Sequence, residues 1–222
     1  FVSDAHARQR YWARSMLGWR TMSQARPTQA HHALAALGAA GRIALLVTQN
    51  VDGLHDADLL VLLAHDPDAF NRWEAGQRLA LQRLLTAIRN EAPLQLDAAF
   101  TGAMRDVLRH PTLDAAFKTL VLTPPSETYI AEQLESVDPQ RIHTAREAMV
   151  LQLAQALHGD WEWAWEAHQV AGPYTSAPEP AGRRALANLA LAMLCLDATA
   201  RGDVLWQGRA YQRFKDAANM TD

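Results

Sequence analysis

LVTQNVDGLHDADLLVLLAHDPDAFNRWEAGQ, residues Leu46 to Gln77, changes character part-way along. Its opening completes a short apolar run, Ile43 to Val47, and continues as a polar segment that ends on Asp52 and Gly53. That is the pattern of a buried parallel strand whose C-terminal loop faces a ligand. From Asp56 the rhythm becomes helical. Leu59, Leu60, Leu62 and Leu63 lead to His65, and Asp66-Pro67 reads as an acidic N-cap followed by proline at the first helical position. No linker-like composition separates the two patterns. The chain is therefore read in two parts, residues 1–55 and residues 56–222, with the seam at His55 and Asp56.

Bulk properties narrow the function classes. The 222 residues are 49% hydrophobic and 20% charged with a net charge of −3, and the pI is near 6.3. That balance gives no electrostatic reason to expect nucleic acid or an anionic membrane as partner. The longest apolar run, Leu189 to Leu196, is far short of the roughly 20 residues that span a bilayer. The polar opening FVSDAHARQR does not read as a signal peptide, so none is expected in these residues. A single cysteine, Cys195, sits in an apolar helical pattern and makes no internal disulfide, so a reduced, cytoplasmic setting is expected. Phe1 in place of a start methionine reads as the mark of a fragment or a processed chain.

In the first part, Arg26-Pro27 separates one helical stretch, residues 4–22, from a second that begins at Thr28. Ala30, Ala33, Leu34 and Leu37 share a face of the second, and Gly41 suits its end. The strand Ile43–Val47 then delivers Thr48, Gln49, Asn50 and Asp52 to one loop. ARPTQAHHALAALGAAGRIALLVTQNVDGLH resembles the signature of the sirtuins, NAD-dependent protein deacylases, and RQRYWARSMLGW upstream resembles one class of them. The resemblance implies that Gln49 and Asn50 meet the nicotinamide riboside part of NAD and Asp52 the carboxamide. It also implies that Tyr11 and Arg14, a Y-x-x-R pair, read acidic acyl groups on lysine, where a guanidinium forks onto a carboxylate. The Gly-Ala-Gly phosphate cradle of that family is absent from this chain, and one cysteine cannot supply its paired C-x-x-C zinc ligands. The family's base, a histidine in an L-H-G context, is expected to be missing as well.

The second part is helical throughout. Phe70, Trp73, Leu81, Leu84, Leu85 and Ile88 form one stripe. Asp97 caps a helix carrying Phe100, Met104, Val107 and Leu108, which stops before Pro111. Thr112 begins another with Leu113, Phe117, Leu120 and Val121, and Ser126 begins one with Tyr129, Ile130 and Leu134. Asp138-Pro139 repeats the cap-and-proline device ahead of Ile142, Met149, Leu153 and Leu157. A loop is expected from Gly172 to Gly182, then a seam of Leu186, Leu189, Met193 and Leu196 that ends at Gly202, then a last helix from Val204 to Lys215. The fold class is mainly α, an antiparallel helical array of superhelix type with a short α/β segment at its N-terminus.

FNRWEAGQRLA, LTPPSETYIAEQLESVDP, RRALANLALAMLCL and DAANMTD follow one another in this part. They resemble the helical C-terminal domain of aminopeptidase N, a member of the M1 zinc metallopeptidases. The resemblance implies a non-catalytic domain whose partner is a catalytic domain elsewhere. There H-E-x-x-H and a later glutamate hold zinc and G-A-M-E-N grips the substrate, and none of these motifs occurs in this chain.

Other tempting residues have plainer readings. His31 and His32 are neighbours and point to different sides of a helix. His65, Asp66 and Asp68 suit a helix cap better than a metal. Trp161 and Trp165 pair on one helix face while Trp163 points away, and Glu127, Glu132 and Glu135 form a solvated face. Cys195 is a core thiol. Three functions stay open: the helical domain of an aminopeptidase, a fragment of an NAD-dependent deacylase, and a helical interaction scaffold.

Overall fold

The computed structural model describes residues 56–172, 174–217 and 219. The chain divides into two units, Phe1–Leu54 and His55–Asp222, and all described residues belong to the second. They form helices α1 (Asp56–His65), α2 (Ala69–Arg89), α3 (Ala98–Arg109), α4 (Ala115–Leu122), α5 (Glu127–Ala131), α6 (Pro139–Ala156), α7 (His158–Ala167), α8 (Pro178–Arg201) and α9 (Leu205–Asp216). No strand occurs among the described residues, so the region is the mainly helical assembly that the sequence implies. The run Ile43–Val47 and the residues Gln49, Asn50, Asp52, Tyr11, Arg14, His31 and His32 lie outside the described residues.

Two helices organise the packing. α8 lies against α4, α6, α7 and α9, and α2 lies against α1, α4, α5 and α6. Between them they bury Leu79, Leu84, Met149, Leu153, Trp161, Leu186 and Met193, each at most 3% exposed. The indole Nε1 of Trp161 donates to the Leu153 carbonyl at 3.2 Å, which satisfies the polar atom of an otherwise apolar residue.

Short polar side chains start most of these helices. Asp97, Asp114, Ser126 and Asp138 each accept a hydrogen bond from the backbone N–H three residues on. The Asp97 and Asp138 caps match the sequence reading, but three starts differ from it. α2 is capped by Asp68, whose carboxylate accepts from Phe70 N at 2.7 Å. Asp66 instead braces the turn before it, accepting from Asp68 N and from Asn71 Nδ2. α4 begins after Asp114 rather than at Thr112, because the Asp114 carboxylate is placed to accept from Phe117 N at 2.8 Å. α8 begins at Pro178, so Gly182 is a helical residue and not the end of a loop. A Cβ built there would lie 2.9 Å from Ala116 N, so its lack of a side chain lets α8 approach α4.

Other stripes sit where neighbours demand. α2 buries Ala75, Gly76, Leu79, Ala80, Leu84, Ala87 and Ile88. Phe70, Trp73, Leu81 and Leu85 of the expected stripe are only half-buried, because the small residues let α1 and α4 come close on the other side. In α4, Lys118, Val121 and Leu122 are buried while Leu120 is 61% exposed. α5 stops at Ala131, short of Leu134.

Two helix ends share one geometry. Gly202 at the end of α8 has φ 72°, with Gly202 N donating to Thr199 O and Asp203 N to Ala198 O. The end of α2 repeats this with Glu91 at φ 53°, Glu91 N donating to Ile88 O and Ala92 N to Ala87 O. Both are Schellman closures, and the second forces a side-chain-bearing residue into the left-handed region.

Candidate functional site

Buried charge marks the places where this array carries more than packing. Arg72, Lys118, Arg184 and Asp197 are its buried charged residues among those described. Arg72 is a closure: Nε donates to Leu63 O at 3.0 Å and Nη2 to Ala64 O, sealing the C-terminal carbonyls of α1. A half-buried counterpart is Arg83, which pairs with Asp56 at 3.1 Å and Asp97 at 2.6 Å and lies over the Phe100 ring. Burial works to raise the Asp97 carboxyl, but the Phe100 N–H and Arg83 outweigh it and hold it below its ordinary value.

Asp197 of α8 has a side chain only 3% exposed, and nitrogens of His158 and Arg201 meet its Oδ2. His158 Nδ1 lies at 2.6 Å and Arg201 Nη2 at 2.5 Å. The other ring nitrogen, His158 Nε2, faces Glu162 Oε1 at 3.4 Å. Contrary to the expectation from the sequence, the tripeptide L-H-G does occur, as Leu157-His158-Gly159. It sits at the α6–α7 junction, in the helical unit, and both nitrogens of His158 are turned to carboxylates. A general base needs one nitrogen directed at a reacting group. This histidine clamps α7 to α8.

A second cluster joins α3, α4 and α7. Asp160 pairs with Arg105 at 2.9 Å and Arg109 at 2.7 Å. Burial works to raise its carboxyl, and the hydrogen bonds from the two guanidiniums prevail and lower it. Arg109 also lies 4.3 Å from the Trp163 ring centroid, Lys118 Nζ 5.9 Å, and the His168 ring meets it edge-on at 5.6 Å. Burial lowers the pKa of Lys118, against an opposing pull from Asp114. Burial, with the charges of Lys118 and Arg183, also lowers that of His168, although its bond to the Ala164 carbonyl acts the other way.

The three tryptophans thus part company. Trp161 is core, Trp163 takes the cations, and Trp165 lies under Arg213, whose Cζ is 4.9 Å from its ring. Trp161 and Trp165, four apart on α7, share a side of the helix, but the first is buried and the second lies under Arg213 of α9, with no ring contact between them among the described residues. Cys195 is half-buried and donates Sγ–H to Trp206 O at 3.4 Å, and burial raises its thiol pKa. Two recesses of about 500 Å³ each lie on the unit. One runs between α1 and α3 and is lined by Leu60, Leu63, Ala99, Gly102, His65 and His110. The other lies between α7, α8 and α9, with Trp165, Tyr174, Arg184, Arg209, Arg213 and Asp216 in its wall. Sequence reading missed both, since their residues come from helices remote in the chain. No group of three or more His, Cys, Asp or Glu side chains is placed to hold a metal among the described residues. No described helix is long and apolar enough to cross a membrane.

Residues 56–222 match the model of a family described as domain of unknown function (DUF3458_C) ARM repeats. The chain belongs to the DUF3458_C family. Residues 1–61 match the Sir2 family, so the two matches overlap from Asp56 to Val61. Among curated relatives of the DUF3458_C part is aminopeptidase N of Caulobacter vibrioides, 34% identical over 173 residues, covering 75% of this chain and 19% of the relative. The N-terminal residues are 61% identical over 57 residues to NAD-dependent protein deacetylase 2 of Bradyrhizobium diazoefficiens, covering 26% of this chain and 21% of that protein. The crystal structure of Legionella pneumophila aminopeptidase A in complex with aspartic acid has a similar fold. Its TM-score is 0.64 at 22% identity, over 76% of this chain and 20% of that one. The chain thus joins a sirtuin-like N-terminal segment to an aminopeptidase-like helical region of the DUF3458_C family. It spans about a fifth of the length of the curated relatives it matches.

Proposed function

We propose that residues 56–222 act as the non-catalytic helical C-terminal domain of an aminopeptidase N-type zinc exopeptidase, with the catalytic domain of such an enzyme as its partner. The reading is carried by the co-linear match to aminopeptidase N over 173 residues. The residues of this chain do not fit the zinc of such an enzyme. They include neither H-E-x-x-H nor G-A-M-E-N, and no described cluster supplies three ligands. No catalytic step is therefore assigned to the chain by itself, and a reduced, cytoplasmic setting suits its lone, half-buried thiol. The test is hydrolysis of amino-acyl arylamides by the purified chain, with and without added zinc. No turnover is expected, whereas a metal-dependent, chelator-sensitive activity that co-purifies with the chain would sink the proposal. A second arm mixes the chain with a separately produced catalytic domain of an aminopeptidase N, where co-elution is the expected result and independent elution counts against the assignment.

A second reading, an NAD-dependent deacylase fragment, is favoured by the high identity of the first 57 matched residues to a deacetylase. In it Gln49, Asn50 and Asp52 hold the nicotinamide end of NAD, and Tyr11 and Arg14 meet an acidic acyl group. The phosphates of the cofactor have no Gly-Ala-Gly loop in this chain to receive them. No measurable NAD affinity is expected in calorimetry. Saturable binding that Asp52→Ala weakens would favour this second reading.

A further inference from the structure

Four charged side chains are buried among the described residues, and three of them are answered. The α1 carbonyls receive Arg72, the Thr175 carbonyl receives Arg184, and Asp197 meets His158 and Arg201. Lys118 of α4, 4% exposed, is the exception. Its Nζ has no hydrogen bond and no ion pair to a described residue, only the Trp163 ring at 5.9 Å. Nζ is also not among the side-chain atoms shut off from solvent without a partner, so a narrow opening to it remains. An unpaired ammonium at such depth is costly, and burial lowers the pKa of Lys118 against an opposing pull from Asp114. The neutral amine, a nucleophile, is thereby favoured.

The surroundings are cationic. α3 brings Arg109 to the same ring at 4.3 Å, and His110 closes that helix. His168, just after α7, meets the ring edge-on. Burial keeps both histidines below their ordinary value, and the charge of Lys118 works in the same direction on each. Arg72 of α2 adds to this at His110, and Arg183 of α8 at His168. Against them stand Asp114, the exposed cap of α4, and Asp160, already held by Arg105 and Arg109. The cluster has room for one more negative charge, and the unpaired amine is placed to carry it.

We propose that Lys118 is a carbon dioxide site, where its amine is converted to a carbamate. The nitrogen lone pair attacks the carbon of carbon dioxide, one C=O bonding pair moves to oxygen, and an N–H proton leaves to water. A C–N bond forms, an N–H bond breaks, and nothing is oxidised or reduced. An ammonium that repels its neighbours becomes a carboxylate-like anion that pairs with them. Carbon dioxide is small and uncharged, which suits so narrow an opening. The site is independent of the aminopeptidase reading, since it needs only side chains of this chain.

The sequence supplies its own control. Lys118 and Lys215 are the two lysines of the chain, and Lys215, on α9, is exposed. The experiment equilibrates the full chain with isotope-labelled bicarbonate at neutral pH, against sodium chloride of equal ionic strength. Carbamates are read by carbon NMR, then located by alkyl trapping and peptide mass mapping. Lys118 is expected to carry about 10-fold or more carbamate than Lys215, the factor that one unit of pKa difference supplies. Lys118→Met keeps a buried apolar chain without the amine and should abolish that signal, whereas Lys215→Arg should leave it intact. Any signal from the α-amino group stays in both variants and serves as reference. Bicarbonate should also raise the titration midpoint of His168, because a nearby cation gives way to an anion. In Lys118→Met that midpoint should not respond to bicarbonate. The mapping needs no variant, so it decides the matter even where Lys118→Met fails to fold. The proposal is overturned if the two lysines are labelled alike, if neither is labelled, if Lys118→Met keeps the full signal, or if chloride moves His168 as far as bicarbonate does.

Discussion

α8 and α9 are consecutive, amphipathic and equally visible in the sequence, yet the fold treats them differently. Of the 24 residues of α8, ten are buried, and other helices pack on it from four directions. Of the 12 residues of α9, only Trp206 is buried, while Tyr211 and Phe214 are 65% and 77% exposed and Val204, just before it, 78%. A helical period says that a face is apolar. It does not say that a neighbour covers it. Polar residues make the same point in reverse, since α8 buries Arg184 and Asp197, which any hydropathy reading would put in water.

The largest effect that would sharpen this contrast is expected at Trp161, fully buried where α7 meets α8. Trp161→Ala should cost about 4 kcal/mol in urea unfolding, the range for emptying a large core site. A loss as small as that of a surface change would mean that α7 and α8 are not the rigid half of the pair.

Next comes the clamp beneath it. His158→Ala with Arg201→Ala strands the Asp197 carboxylate, which has 3% exposure, and should cost about 3 kcal/mol. Asp197→Ala should cost less, because the two side chains it leaves behind, His158 and Arg201, are 28% and 50% exposed and can be hydrated. Equal costs for the two variants would show that the carboxylate is not the buried partner.

Acid should loosen the α7 side of the molecule in two stages. The His168 pKa lies below its ordinary 6.5, chiefly through burial. Unfolding then takes up a proton that the fold resists, so stability is full above about pH 6.5 and falls as pH drops toward the folded value. Asp160 is also lowered, from 3.8, with Arg109 and Arg105 outweighing burial. Its contribution holds above that pH and disappears as pH falls through the lower folded value. Thermal unfolding across pH 7 to 3 checks both, and His168→Gln should remove the first stage only.

The smallest effect is expected on α9. Tyr211→Ser and Phe214→Ser should each change stability by no more than about 0.5 kcal/mol, as exposed substitutions do. A cooperative loss like that of Trp161→Ala would show that something buries this face in solution, and the contrast between the helices would collapse.

Much of the fold was legible because caps announce themselves locally. Asp97, Asp138-Pro139 and Gly202 each work within one turn of the helix they start or end. The misreadings arose where two residues could serve and only geometry chooses, as with Asp66 and Asp68. Where an unusual residue does a common job, as Glu91 does at the end of α2, the sequence carries no local signal of the helix end. Gly182 looked like a loop because its reason is the backbone of Ala116, 66 residues away by number. The recess between α7, α8 and α9 was invisible for the same cause. Its arginines are ordinary surface letters until three helices bring them to one wall. The residues singled out most sharply by motif, Gln49, Asn50, Asp52, Tyr11 and Arg14, lie outside the described residues.

The stretch before α8 has a practical consequence. Residues 171, 172 and 174–177 are all exposed, and such segments are preferred sites of proteolytic nicking. A protease should cleave there first and release nothing, because α8 stays gripped by α4, α6 and α7. The two pieces would co-migrate until denatured, so the unit offers a natural split point for fragment complementation. The arginine-lined recess, walled on one side by Tyr174, would be the feature lost with the cut.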